Sequence, residues 1–141
     1  MKHRLLMSFV SALFMCACVA GASDVKEWGL LSSKMVNLSS AVDTYFADLA
    51  EAPIDNDVSI LQKATVHDPG LLAPEFAPYL LKVQYQKSYA VLLLCSKDGG
   101  RTIMEDAGCS ARLDRQVTHV EPCKFTLLVK QGCQVEGADP E

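Results

Sequence analysis

The chain has 141 residues, half of them hydrophobic, with 13 Lys and Arg against 17 Asp and Glu and a formal net charge of −4. That sign argues against a protein that works by neutralising nucleic-acid phosphates or an anionic membrane surface. The length leaves room for one core, and the absence of an internal repeat argues against a solenoid.

The chain opens Lys2-His3-Arg4, runs apolar from Leu5 to about Ala20 with Ser8 and Ser11 interrupting, and reaches Ala20-Gly21-Ala22. A short basic region, an apolar stretch and small residues one and three positions before a cut are the parts of an export signal. Cleavage is expected between Ala22 and Ser23, removing residues 1–22. Leu5 to Ala22 is only 18 residues, barely enough to cross a hydrocarbon core as a retained anchor. The alternative is lipidation. Cys18 follows small Ala17 but has Met15 where bacterial lipoprotein signals prefer Leu; Cys16 has Leu13 in that place but Met15 directly before it. Cys18 is the candidate lipid site, and only lipidation there would tie the chain to a membrane. Under simple export both cysteines leave with the signal.

The mature chain would carry 11 basic and 17 acidic residues, a net of −6. Residues 23–79 hold three basic and nine acidic side chains, whereas 80–141 hold eight of each. The acidic half suits either a solvated helix face or a cationic partner.

Between Val25 and Leu49 the residues Trp28, Leu31, Met35, Leu38, Val42, Tyr45 and Leu49 recur at steps of three and four. This spacing predicts one long amphipathic helix over 24–51, capped by Ser23 or Asp24 and ended by Pro53. Pro53, Pro69, Pro74 and Pro78 make 52–78 an ordered connection, with a short helix from Asp57 to Val66 capped by Asp55 or Asp57.

From Tyr79 the period becomes two. Tyr79, Leu81, Val83 and Tyr85 alternate with polar residues, and Tyr89 to Cys95 follows as a continuous apolar run, the mark of a strand covered on both faces. Lys97-Asp98-Gly99-Gly100 predicts a tight hairpin centred on Asp98-Gly99. Arg101 to Asp106 returns as a weaker strand and Ala107-Gly108 turns again. Ala111, Leu113 and Val117 alternate, as do Cys123, Phe125, Leu127 and Val129. The expected fold is α+β, a single domain over 23–135 with the helix on an antiparallel sheet of four to five strands spanning 79–131. Residues 136–141 read as a disordered acidic tail.

Four cysteines, Cys95, Cys109, Cys123 and Cys133, remain after processing, with 13, 13 and 9 residues between neighbours and no C-x-x-C pair. An even number in a small exported domain predicts disulfides, and the spacing does not suit a zinc ribbon or a thioredoxin-like site. Three connectivities are open. Cys95 and Cys109 stand at opposite ends of one hairpin, roughly 20 Å apart, which favours Cys95–Cys123 with Cys109–Cys133. A flat meander would not bring the former pair together, so this choice requires a curled sheet or a last strand that pairs elsewhere.

His67 and His119 read as surface-loop histidines. Cys109, Asp114 and His119 could form a nucleophile set only if Cys109 were unbonded. Glu105 and Asp106 are adjacent on a strand and point to opposite faces, so they cannot share a substrate. No phosphate loop, calcium loop, zinc-protease or serine-hydrolase motif is present, and no cofactor is expected. Asn37-Leu38-Ser39 matches a glycosylation acceptor but sits within the predicted helix. The reading is a non-enzymatic exported binding or accessory protein of inhibitor or immunity type, its partner another envelope or secreted protein. An N-terminal helix, an antiparallel sheet and a late cysteine pair loosely resemble pilin-like proteins, which implies a structural subunit instead. Gly21-Ala22-Ser23-Asp24 lacks the processed glycine and early glutamate of that group.

Overall fold

The computed structural model of the chain describes residues 21–87 and 89–137, with side chains from residue 28 onward. The apolar opening with Cys16 and Cys18, and residues 138–141 of the expected tail, lie outside the described residues. Helix α1 spans Gly21–Ala47 and α2 spans Asp57–Ala64; short 3-10 turns follow at Pro69–Leu71 and Pro74–Phe76. The strands are β1 (Tyr79–Gln86), β2 (Tyr89–Ser96), β3 (Thr102–Asp106), β4 (Arg115–Gln116), β5 (Leu128–Lys130) and β6 (Gln134–Glu136). β1 to β4 form one antiparallel meander, and β5 pairs only with β6.

α1 lies across one face of the meander because its apolar residues fall on one side. Leu31, Met35, Leu38, Val42 and Phe46 are buried there against Ala90, Leu92 and Leu94 of β2 and Met104 of β3. Phe46, not its neighbour Tyr45, is the deep aromatic, and it meets Tyr85 of β1 edge to face with ring centroids 5.1 Å apart. The helix ends at Ala47, four residues before the predicted limit. Past Phe46 the flanking residues are solvated, and the amide of Leu49 closes the last turn onto the carbonyl of Phe46. Burial therefore stops the helix before Pro53 can. The expected cleavage point between Ala22 and Ser23 falls within the first turn of α1.

α2 is capped by Asn56, whose side-chain oxygen accepts the Ser59 amide, in place of the predicted aspartates. Those have other partners: Asp55 pairs with Lys63, and Asp57 accepts the Val83 amide of β1 at 3.2 Å. An edge strand exposes unpaired amides, and Asp57 satisfies one of them. α2 ends at Ala64, not Val66, with Thr65 as its C-cap.

β2 is buried along nearly its whole length, as its unbroken apolar run demands, and β3 is fully buried too although its sequence reads as the weaker strand. Five residues, 97–101, join the two, with a four-residue turn over 97–100 inside them. Ser96 and Arg101 are hydrogen-bonded across it, Gly99 donates to the Ser96 carbonyl, and Gly99 takes a positive φ of 71°. The two-residue turn expected at Asp98-Gly99 is thus one register too tight. Pairing passes from Leu94–Met104 to Cys95–Thr102, so Ile103 is an extra residue and adds to the helix-side core.

The main correction concerns the last third of the chain. The predicted strand around Ala111–Val117 shrinks to Arg115–Gln116. The alternating run from Cys123 to Val129 does not extend the sheet; it crosses the face opposite α1 and then folds into the β5–β6 hairpin. Glu136, assigned to a disordered tail, lies in β6, pairs with Leu128 in register and forms an ion pair with Lys130 at 2.8 Å.

Candidate functional site

β3 ends with two carboxylates, Glu105 and Asp106, whose side chains are fully buried. Ionised or not, a carboxyl group at such a position needs partners for both oxygens. The pleat sends the two to opposite faces. Asp106 turns to the helix side: it accepts the Ser39 hydroxyl of α1, the Gly108 amide at 3.1 Å and the Asp114 amide at 3.0 Å. Burial raises its pKa, opposed chiefly by the Ser39 hydrogen bond. Nearby on α1, burial also raises the pKa of Asp43, which accepts the Ala90 amide at 3.1 Å. Gly108 permits this approach of turn and helix. With φ +70° and a hypothetical Cβ only 3.0 Å from the Ser39 carbonyl oxygen, no larger residue fits without displacing α1.

Glu105 faces the other way and anchors the crossing segment. Its Oε1 accepts the amides of Thr126 at 2.7 Å and Leu127 at 3.0 Å; its Oε2 accepts the Thr126 hydroxyl at 2.7 Å and faces Arg115 at 3.5 Å. Arg115 also pairs with Glu121, which holds the Glu121 carboxyl below its ordinary pKa, and Glu121 meets His119 at 2.6 Å. A line of ionisable side chains therefore runs from the core at Glu105 to the solvent at His119. Gln86 of β1 adds a second anchor. Its amide donates to the Leu127 carbonyl at 3.1 Å and accepts the Val129 amide at 2.7 Å, so a side chain does the work of a strand partner.

Two disulfides complete the attachment. Cys95–Cys123 joins β2 to the start of the crossing segment with Cα atoms 5.7 Å apart, and Cys109–Cys133 joins the turn after β3 to the β5–β6 hairpin at 5.4 Å. Of the two arrangements that Cys95–Cys123 requires, a curled sheet or a last strand that pairs elsewhere, the structure takes the second: β5 pairs with β6, and the segment that carries Cys123 is laid across the face. The apolar cluster on this side is small: Val91, Ala107 and Leu127 are buried in it, flanked by Phe125, Val129 and Val135, and Leu93, opposite Glu105 in the pairing of β2 with β3, is fully buried as well.

The residues weighed as a nucleophile set are not assembled as one. Cys109 is bonded to Cys133, Asp114 uses its carboxylate to accept the Ala107 amide at 2.8 Å, and His119 is exposed beside Glu121. His67 is exposed after α2. Among the described residues, no group of three or more His, Cys, Asp or Glu is placed to hold a metal ion. A depression of about 300 Å³ lies where α1 meets the first 3-10 turn, lined by Lys34, Asn37, Asp68, Gly70 and Leu71. Its one lysine is paired with Glu75 at 3.4 Å. Sequence reasoning missed Gln86, Arg115 and the anchoring role of Glu105. The legible signal was a pair of acids, Glu105 and Asp106, following the apolar Ile103 and Met104 in one strand. Among the described residues, no helix is long and apolar enough to cross a membrane. No protein-family model, curated protein or solved structure matches the chain.

Proposed function

We propose that the chain is a small exported, non-enzymatic binding or accessory protein, inhibitor- or immunity-like in character. The observation that carries this reading is the use of its ionisable groups. Glu105, with Arg115 beside it, holds the crossing segment, and Asp106 and Asp114 hold the turn after β3 and its contact with α1, so all four are engaged in fixing the surface. Rigid elements that present a fixed surface limit the entropy lost on association. The two disulfides suit an oxidising compartment, which supports the export signal read at residues 1–22.

Intact-mass analysis of the protein recovered from an exporting host, with and without thiol alkylation, tests the reading. The expected species begins at Ser23 and takes up alkyl groups only after reduction. A mass increase from lipid at Cys18 would move the assignment to an anchored lipoprotein. Full-length cytosolic material with every thiol titratable would overturn export, and an activity abolished by His119→Ala in a folded protein would overturn the non-enzymatic assignment. Concentration-dependent filaments would favour the pilin-like subunit.

A further inference from the structure

The segment that crosses the second sheet face is held differently at its two ends. At its start, Cys123 is bonded to Cys95, which is fully buried on β2. Thr102 of β3 ties the same stretch down. Its amide donates to the Glu121 carbonyl at 2.9 Å, and its hydroxyl donates to the Pro122 carbonyl at 2.7 Å and accepts the Lys124 amide at 3.4 Å. At the far end, Cys133 sits beside exposed Gln131 and Gly132 in the turn between β5 and β6 and is bonded to half-buried Cys109. Among the described residues, no hydrogen bond or ion pair joins 128–137 to the turn at 107–114, so the bridge is their one directional link.

Residues 126–137 also hold together without the sheet. Leu128 and Lys130 pair with Glu136 and Gln134, the side chains of Lys130 and Glu136 meet at 2.8 Å, and Gly137 closes on the Thr126 carbonyl, where a Cβ would come within 2.7 Å. Glu105 and Gln86, which anchor this unit, belong to the sheet and grip it mainly by its main chain. The hairpin is therefore built to leave as one body, turning about 124–125.

The two bridges are unequal targets for thiol exchange. A thiolate that attacks Sγ of Cys123 must expel a Cys95 thiolate into the apolar interior, where a charge is costly. Attack on Sγ of Cys133 expels Cys109 in a turn, beside exposed Ser110. Cys133 also takes a positive φ of 60°, unfavourable for a residue with a β-carbon, so the turn gains freedom when the bridge opens.

We propose that Cys109–Cys133 is a reversible lock and Cys95–Cys123 a permanent hinge, making residues 126–137 a strap that a dithiol–disulfide oxidoreductase releases from the sheet. One thiolate of the reductase attacks Sγ of Cys133 and forms a mixed disulfide, while Cys109 leaves as a thiolate and takes a proton. The second reductase thiol then displaces Cys133, so the reductase ends as a disulfide and the strap and turn carry one free thiol each. Release uncovers Val91, Ala107 and the Glu105 carboxylate. The inference rests on the exported reading, in which both bridges form, and makes the binding surface conditional on redox state.

Graded reduction of the full exported protein with dithiothreitol tests it, with aliquots trapped by iodoacetamide and mapped by mass spectrometry. Alkylation is expected at Cys109 and Cys133 about ten-fold sooner than at Cys95 and Cys123, the ratio for expelling a thiolate near water instead of in the interior. In the species alkylated only at 109 and 133, hydrogen exchange should show protection lost over 126–137 and kept at Thr102, Lys124 and β2. Reoxidation of untrapped protein should restore it. The Cys109→Ser/Cys133→Ser variant should show the same pattern without reductant, with circular dichroism to report its folding; if it does not fold, the titration of the unaltered protein decides alone. Cys95 and Cys123 reacting first, or all four together, would overturn the lock and hinge, and full protection of 126–137 after Cys109–Cys133 is cut would overturn the strap. Four free thiols at the outset would overturn export instead.

Discussion

The two faces of the β1–β4 sheet are covered by different physics. On one, α1 contributes a row of fully buried apolar side chains, and the contact is held by area removed from water. On the other, the crossing segment brings little apolar area and is held by two disulfides, by the Glu105 carboxylate and by the Gln86 amide. Apolar contacts tolerate adjustment in place, since burial is non-directional. Point attachments do not; each fixes one position and is lost as a unit. Such a layer keeps its form only in an environment that preserves its bridges.

The largest expected effect follows from removing those bridges. Closing loops with sequence separations of 28 and 24 contributes about 3 kcal/mol each in the chain-entropy description. Reduction, or the double variant Cys95→Ser/Cys123→Ser, should therefore open the crossing segment first. Hydrogen exchange would show protection lost over 122–137 while α1 and β1 to β3 stay protected. Simultaneous loss across the molecule would mean that the two faces are one cooperative unit, and the comparison would fail.

A second pair of variants sharpens the contrast. Phe46→Ala removes a fully buried ring from the helix side and should cost about 3–5 kcal/mol, spread over the whole unfolding transition. Glu105→Ala leaves two amides, a hydroxyl and part of a guanidinium without their acceptor, and should cost about 3 kcal/mol. Its effect should be read first in exchange at Thr126 and Leu127. If denaturant melts show both variants lowering the midpoint with identical exchange footprints, Glu105 is not a local anchor.

The helix face was legible in the sequence and much of the other face was not, for a reason visible in particular residues. The stripe from Leu31 to Val42 has a period that only a helix satisfies. The continuous run from Tyr89 to Cys95 has only one comfortable environment, between two layers. The alternation from Cys123 to Val129 is equally regular, yet it reports only extended backbone lying on an apolar surface. Whether its amides meet a strand or side chains such as Glu105 and Gln86 leaves the pattern of apolar residues unchanged. Cap choice was ambiguous for a similar reason: Asp55, Asn56 and Asp57 can all accept an amide, and tertiary partners for the two aspartates leave Asn56 to do so. The exposed Val58 of α2 and Val66 just past its end were in plain view, but only burial in the fold separates them from Ile60 and Leu61.

The smallest effect separates the two carboxylates of β3. Asp106 and Asp43, both on the helix side, have pKa values raised by burial, so the folded state binds their protons more readily than the unfolded chain does. Stability from this source is fully present below the unfolded aspartate range, near pH 4, and is lost as pH rises through the elevated folded values. The helix attachment should thus be slightly firmer in mild acid than at neutrality. Asp106→Asn removes that titration at the expense of one acceptor among Ser39, Gly108 and Asp114. Its stability should be lower but flatter with pH across the acid-to-neutral range than that of the parent, as measured by denaturant midpoints at fixed ionic strength. Parallel curves for parent and variant would mean that Asp106 does not titrate within that range, and that the helix side, like the other, is insensitive to it.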